Sequence, residues 1–449
     1  MATAHQIHLS PTTTTGIFSV AATDGGTGTG TGPNEASARA ASEVLQHDLE
    51  HHHVFFNDLG FHNHIVHHIL SIYALGASAE EIRAAYERDR AYQRKAIPVD
   101  EAVVAELADR NRFLGLLGMK EHYSNFLRFF QREIERVGVE EVLMGFLFGQ
   151  DDEVARAMLG RLFGGLIHPF IHLGFGLEFE QPAIVAEALA QTAIHEDWTG
   201  PMFFWPAEEQ AGGVGRRGEK GLLAILEAMR RDETLARSVQ WEDGNKMRDG
   251  VLARAGEAML AYAAEYSVSA EQLEERTAEM INTVVYYTSA AQRPSKQIKF
   301  DFFYLHSLNS SIFVSKLLAL PFLATQAKCR LLEWKGRLDL LLYVSRGVPE
   351  LYLEEIRAYP TAHSWADIFA FCNRHPQDDG HLAKLVRAVA HGERACRPFE
   401  AEWPIKGDMW LRIANMAMDS TSDHDHHPMW VRSTGFDQAW REFDGRAEL

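Results

Sequence analysis

Apolar residues return at intervals of three and four along most of the chain from Asn34 onward, the spacing that gathers them on one face of an α-helix. "NEASARAASEVLQHDLE" reads as a capped helix start. "GASAEEIRAAYERDRAYQ" offers Ser78 as an N-cap with acids in the first turn. "KEHYSNFLRFFQREIERVG" is helical in period and stops at Gly138. The same spacing runs through "QPAIVAEALAQTAIH", "SAEQLEERTAEMINTVVYYTSAA", "DFFYLHSLNSSIFVSKLLALPFLA" and "QAKCRLLEWKGRLDLLLYVS". Strand-like alternation is almost absent, and no repeat of constant period supports a solenoid. The pattern predicts an all-α protein: one large helical domain over residues 34–449. Residues 1–33, with "TTTT" and "GGTGTGTGP", predict a disordered Thr/Gly-rich tail. "PMFFWPAEEQAGGVGRRGEKG", Pro201–Gly221, is the one long break and predicts an aromatic, Gly-rich loop or lid.

Charge narrows the partners. The net charge of −18 argues against nucleic acid or an anionic membrane, because phosphate contacts need a basic face. No apolar run approaches a membrane span; "LLALPFLA" is short and broken by Pro321. Cys329, Cys372 and Cys396 have no C-x-x-C spacing, and no basic-then-apolar leader opens the chain, so a reducing cytoplasm is expected. Nothing in the sequence sets an oligomeric state.

Histidine carries the candidate chemistry. In "FHNHIVHHIL", a helix over 62–75 would put Ile65, Val66, Ile69, Leu70 and Tyr73 on one face. His64, His67, His68 and Ser71 would share the other. Buried on both sides, such a helix lines a polar pocket; on the surface, its imidazoles are merely solvated. In "LIHPFIHLGFGLEFEQP", His168 and His172 are four apart and project from one face, a common arrangement for two metal ligands. Pro169 fits if it lies in the first turn, and Glu178 could orient an imidazole. His306 in "DFFYLHSLNSSIFV" has mostly apolar helical neighbours and should point inward. The bland reading of each is a hydrogen-bonded core histidine. His51–His53 and "DHDHH" at Asp423–His427 read as peripheral. There is no G-x-S-x-G, no G-K-[ST] phosphate loop and no H-E-x-x-H.

"FHNHIVHHILSIYALGAS", "LIHPFIHLGFGLEFEQPAIVAEALAQTAIH" and "KFDFFYLHS" together resemble the questin oxidase-like family, in order, over roughly Asn34 to Phe399. The resemblance implies an oxygenase that opens a ring of a polycyclic aromatic polyketide, such as an anthraquinone, in a Baeyer–Villiger-like or dioxygenase-like step with O2. It also implies a non-haem iron held by four histidines and a carboxylated lysine. Carried onto this chain, the ligands are His64, His168, His172, His306 and Lys384, the last in "DDGHLAKLVRAV". His62, His67 or His68 could take the place of His64; helical geometry leaves this open. Lys384 comes from the resemblance alone. Leu382, Leu385, Val386 and Val389 make the apolar face of its helix, and Lys384 lies opposite with Arg387 and His391, where an exposed lysine is the ordinary expectation. A buried lysine has a lowered pKa, and its neutral amine takes up carbon dioxide to give an anionic carbamate. Imidazole suits iron, zinc, copper or nickel alike, so iron is inherited from the family. NADPH accompanies some family descriptions, and no motif here supports it.

Phe175, Phe203, Phe204, Trp205, Phe302 and Tyr304 are candidates for a flat pocket around an aromatic small molecule. Two other classes stay open: a hydrolase using the same site with zinc or manganese, and a non-catalytic helical binding protein.

Overall fold

A computed structural model describes residues 1–11, 16–20, 32–149, 152–423 and 425–446. The all-α expectation is met. Helices account for nearly all regular structure, and the only named strands among the described residues, Phe300–Asp301 and Trp430–Val431, pair in parallel over two residues each. Among the described residues no helix is long and apolar enough to cross a membrane. The chain forms two compact units: Met1–Gly200 with Ser315–Leu323 and Phe369–Arg387, and Pro201–Val314 with Ala324–Ile368 and Ala388–Leu449.

In the first unit the expected caps are present. Ser78 Oγ accepts the Glu81 N–H at 3.2 Å while Glu81 accepts the Ser78 N–H at 2.8 Å, opening Ala79–Arg90. Tyr123–Val137 ends at Gly138, whose φ of 89° suits glycine. Two helices are buried all round, Ile65–Ala74 and Pro182–Ala193 beyond its first residue. A helix without a solvated face is central to its core, so the imidazole stripe of Ile65–Ala74 faces inward as much as its apolar stripe does. Gly164–Glu178 lies hard against Pro182–Ala193: a Cβ on Gly176 would sit 2.8 Å from the Val185 nitrogen.

The N-terminal expectation needs correction. The low-complexity tracts at 12–15 and 21–31 lie outside the described residues. Met1–Pro11 is not a disordered tail but an ordered arm. Ile7 and Leu9 are buried, and their N–H groups donate to Gln46 Oε1 at 2.8 Å and Ser42 Oγ at 2.9 Å. The Gln181 side chain accepts from His8 N and donates to His8 O, at 2.8 and 3.0 Å. Ile17 and Phe18 are buried too.

The second unit contains the break at Pro201–Gly221. Its aromatic half is helical: a π-helical turn, Gly200–Phe204, leads into Trp205–Gln210. Phe204 stacks on Trp334 at 4.4 Å, and Trp334 donates its indole N–H to Glu208 at 3.1 Å. Only the Gly-rich half, 211–221, lacks regular structure.

A candidate metal centre of buried histidines

Three segments of the first unit converge. The first enters as a tight hairpin, with Phe55 bridged to His62 and the Phe56 N–H on Phe61 O at 2.8 Å. His62 and Asn63 therefore precede the helix, which begins at Ile65 with His64 as its N-cap. This shortens the helix expected over 62–75 and sends His62 in its own direction. The second segment turns sharply. Gly165, Leu166 and Ile167 have φ of 51°, 56° and 63°, left-handed geometry that is costly for a β-branched residue. The helix resumes at His168, so Pro169 stands in its first turn, where a missing N–H costs nothing. The third segment is Asp378–Lys384. Asp378 accepts the N–H groups of Leu382 at 2.9 Å and Ala383 at 3.1 Å, capping the helix His381–Cys396.

Proton accounting separates the imidazoles. His168 Nδ1 lies 2.6 Å from the Gly165 carbonyl, which can only accept, so Nδ1 carries the proton and Nε2 a lone pair. His64 Nδ1 lies 3.2 Å from Asp379 Oδ2. The partly buried position of Asp379 works against its charge, yet the His381 and His64 imidazoles hold its carboxyl well below the usual carboxylate range. It therefore also only accepts. His64 itself is pushed down to about 3, first by burial and then by Lys384, against the pull of Asp379. A neutral His64 has one proton. Placed on Nδ1 for Asp379, it leaves the Nε2 lone pairs of His64 and His168 facing each other at 2.9 Å. A cation held by the two nitrogens would resolve the conflict.

The pair His62 and His195 has no such conflict. His195 Nδ1 donates to Gln191 O at 2.6 Å, its Nε2 is free to accept, and His62 Nε2 donates to it at 2.8 Å. His62 also stacks on His168 with ring centres 3.7 Å apart. His68 is engaged on both sides, by Asp89 at 2.7 Å and Asp378 at 3.9 Å. Burial alone would lower its pKa, but Asp89 and the two neighbouring aspartates raise it.

Next to His168, His67 and His172 are buried, and none of their four ring nitrogens has a hydrogen-bond partner among the described residues. The nearest carboxylate oxygen to His172 Nε2 is Glu187 Oε2, at 3.6 Å. Burial drives His67 well below the ordinary imidazole range, with Lys384 adding to the effect, and raises the Glu187 carboxyl. Lys384 is 1% exposed and its amine has no hydrogen-bond partner among the described residues. Burial pushes that amine down to about 8 against Asp379 and Asp378. Each buried, unpaired polar atom costs about 1–3 kcal/mol unless a water or an ion takes it up. The donors present, imidazoles with carboxylates and an amine, fit a late first-row divalent cation. His64, Asp379 and His381 also offer three ligand atoms within 4.8 Å of one another.

Of the residues read from the sequence, His64, His67, His168, His172 and Lys384 are buried in the first unit. His62 and His68 are there too, with ring nitrogens committed to His195 and to aspartates. His306 is buried in the second unit, its Nδ1 donating to Phe302 O at 2.9 Å. Glu178 forms a buried two-point ion pair with Arg387. Phe203 and Phe204 are core residues of the second unit, and Tyr304 donates its hydroxyl to Tyr343 O at 2.9 Å. Phe175 lies beside His67 with ring centres 5.3 Å apart, and Phe302 beside His306 with ring centres 5.1 Å apart. Sequence reading missed Asp379, His381, Glu187 and His195. Their signals were legible: Asp379 and His381 stand in "DDGH" just before Lys384, and Glu187, Gln191 and His195 recur every four residues along the mostly apolar helix Pro182–Ala193 and just past its end.

The sequence matches the questin oxidase-like family over residues 61–389. It is 40% identical over 418 residues to the Baeyer-Villiger oxidase ptaJ of Pestalotiopsis fici, covering 91% of this chain and 94% of that one. It is 39% identical over 451 residues to the questin oxidase of Aspergillus terreus, covering 98% of both. It is 38% identical over 421 residues to the Baeyer-Villiger monooxygenase dmxR6 of Cryptosporiopsis sp., covering 91% of this chain and 94% of that one. A family match over nearly three quarters of the chain, with relatives aligned end to end, settles descent: the chain belongs to the questin oxidase-like family.

Proposed function

We propose that this chain is an oxidoreductase, a metal-dependent oxygenase that opens a ring of a polycyclic aromatic ketone or quinone with O2. The oxidative half of the reading rests on relatives named as questin oxidase and Baeyer-Villiger oxidase. The metal rests on one observation: two Nε2 lone pairs, on His64 and His168, facing at 2.9 Å with neither ring supplying a proton between them.

His64 and His168 hold the ion, with His67, His172 and Lys384 as further ligands from the same unit. Iron bound there would supply the one-electron chemistry that lets ground-state O2 react. The residues do the rest. Gly165 O and Asp379 fix the tautomers of His168 and His64, so that each presents a lone pair. The Lys384 amine, which burial makes easier to deprotonate, takes up carbon dioxide in its neutral form and releases a proton, giving a carbamate whose oxygens are anionic. That charge offsets a divalent ion among neutral imidazoles. Phe175 and the His67 ring give a flat, apolar wall that suits a fused aromatic ring.

A Baeyer–Villiger insertion places one oxygen atom between a carbonyl carbon and its neighbour. The second atom leaves as water, taking two electrons and two protons from a donor. A dioxygenase outcome puts both atoms into the product and needs no donor. The test is aerobic turnover of questin by metal-stripped protein, with iron(II), zinc or neither added, and with and without NADPH. Oxygen uptake and ring-opened product should return with iron(II) alone. Full turnover without any metal contradicts the metal, and product formed with zinc and no oxygen uptake makes the chain a hydrolase.

A further inference from the structure

His68 shares its helix with His64 and His67 and stood among the candidate ligands, yet its surroundings give it another task. Its Nδ1 is 2.7 Å from Asp89 Oδ2, and its Nε2 is 3.9 Å from Asp378 Oδ2. All three side chains are buried. Asp89 accepts the Nδ1 proton, and the other edge of the ring stands against Asp378. Asp378 is at the same time the cap of the Lys384 helix, through Leu382 N and Ala383 N. Between them, Gly380 has φ 97°, and a Cβ there would lie 2.8 Å from both Cα and Cβ of His68. Backbone meets backbone at that point.

We propose that His68 is a positioning residue: a buried strut between Asp89 and Asp378 that fixes the Asp379–Lys384 segment against His64 and His67. The inference rests on the reading that His64 and Lys384 hold a metal. Removing the imidazole takes away the donor to Asp89 and the ring that stands against Asp378, so the cap and the turn shift while every ligand remains. Loss of such outer support weakens metal binding by about 10–100-fold without removing the site.

The experiment titrates iron(II) into metal-stripped protein under anaerobic conditions against a chelator of known affinity. His68→Gln, Asp89→Asn and the double variant are compared with wild type. Each variant should saturate at the wild-type stoichiometry with affinity weakened about 10–100-fold, and the double variant should be no weaker than His68→Gln, because one link is broken in both. A folded His68→Gln that loses the stoichiometry makes His68 a ligand and overturns the proposal. Unchanged affinity with a lowered thermal midpoint reduces His68 to a stability element and also overturns it. If His68→Gln does not fold, Asp89→Asn alone decides by the same criteria. Wild-type protein that binds no iron defeats the underlying reading, a result distinct from any difference between variants.

Discussion

Lys384 is where sequence and structure differ most at the scale of a residue. By helical period it lies opposite Leu382, Leu385, Val386 and Val389, beside Arg387, and an outward face is the natural reading. The helix is instead buried there because Arg387 is neutralised by Glu178, a pairing 209 residues apart that no local pattern announces. The burial of His168 and His172 was legible, since two imidazoles four apart in an apolar run face inward. The choice among His62, His64, His67 and His68 was not, because it depends on what faces each ring nitrogen. Replacing His64 or His168 by Ala should lower metal content, whereas His62→Ala should leave it near wild type, as elemental analysis of purified variants will show. The Lys384 amine titrates at about 8 in the folded chain against 10.5 ordinarily. Between those values the unfolded state holds a proton that the folded state lacks. Stability of the metal-free protein therefore rises from pH 8 toward 10.5 and is lowest, and flat, below 8. The full shift corresponds to roughly 3 kcal/mol. Lys384→Met should stabilise metal-free protein at pH 7 by on the order of 1–3 kcal/mol, flatten that slope and abolish turnover, as denaturant melts across pH and an oxygen electrode can check.

At the scale of elements, periodicity located the helices well and their ends less well. The helix of "FHNHIVHHIL" begins three residues later than the pattern suggested, because Phe55 and His62 pair across a hairpin that has no alternating signature. The left-handed turn at Gly165–Ile167 is equally silent, since Leu166 and Ile167 are poor residues for it. Both irregular points lie at the histidines, where strain is commonly stored. Gly380 is the element-level test. A methyl group there meets the His68 backbone, which cannot swing away, and φ 97° disfavours any side chain. Gly380→Ala should cost about 1–3 kcal/mol from overpacking and weaken metal binding in parallel. A variant that melts as wild type and binds metal normally would show that the close approach positions nothing.

At the scale of the whole molecule, the all-α class was plain from spacing, whereas the ordered N-terminal arm was hidden by composition. Threonine and glycine dominate residues 1–33, but Ala4, Ile7, Leu9, Ile17 and Phe18 are buried, and five apolar anchors suffice where a Gln46 and a Gln181 side chain satisfy the backbone between them. Deleting residues 1–11 should lower the thermal midpoint, since burying Ile7 and Leu9 stabilises by roughly 1.5–3 kcal/mol each; an unchanged melt would mean the arm adds nothing. The central claim, a catalytic metal among the first unit's histidines, is tested most directly by anomalous diffraction at the iron edge from crystals of active protein. One strong peak should appear within bonding distance of His64 Nε2 and His168 Nε2, with Lys384 beside it. Active crystals with no peak there, or with the metal held elsewhere, would contradict it.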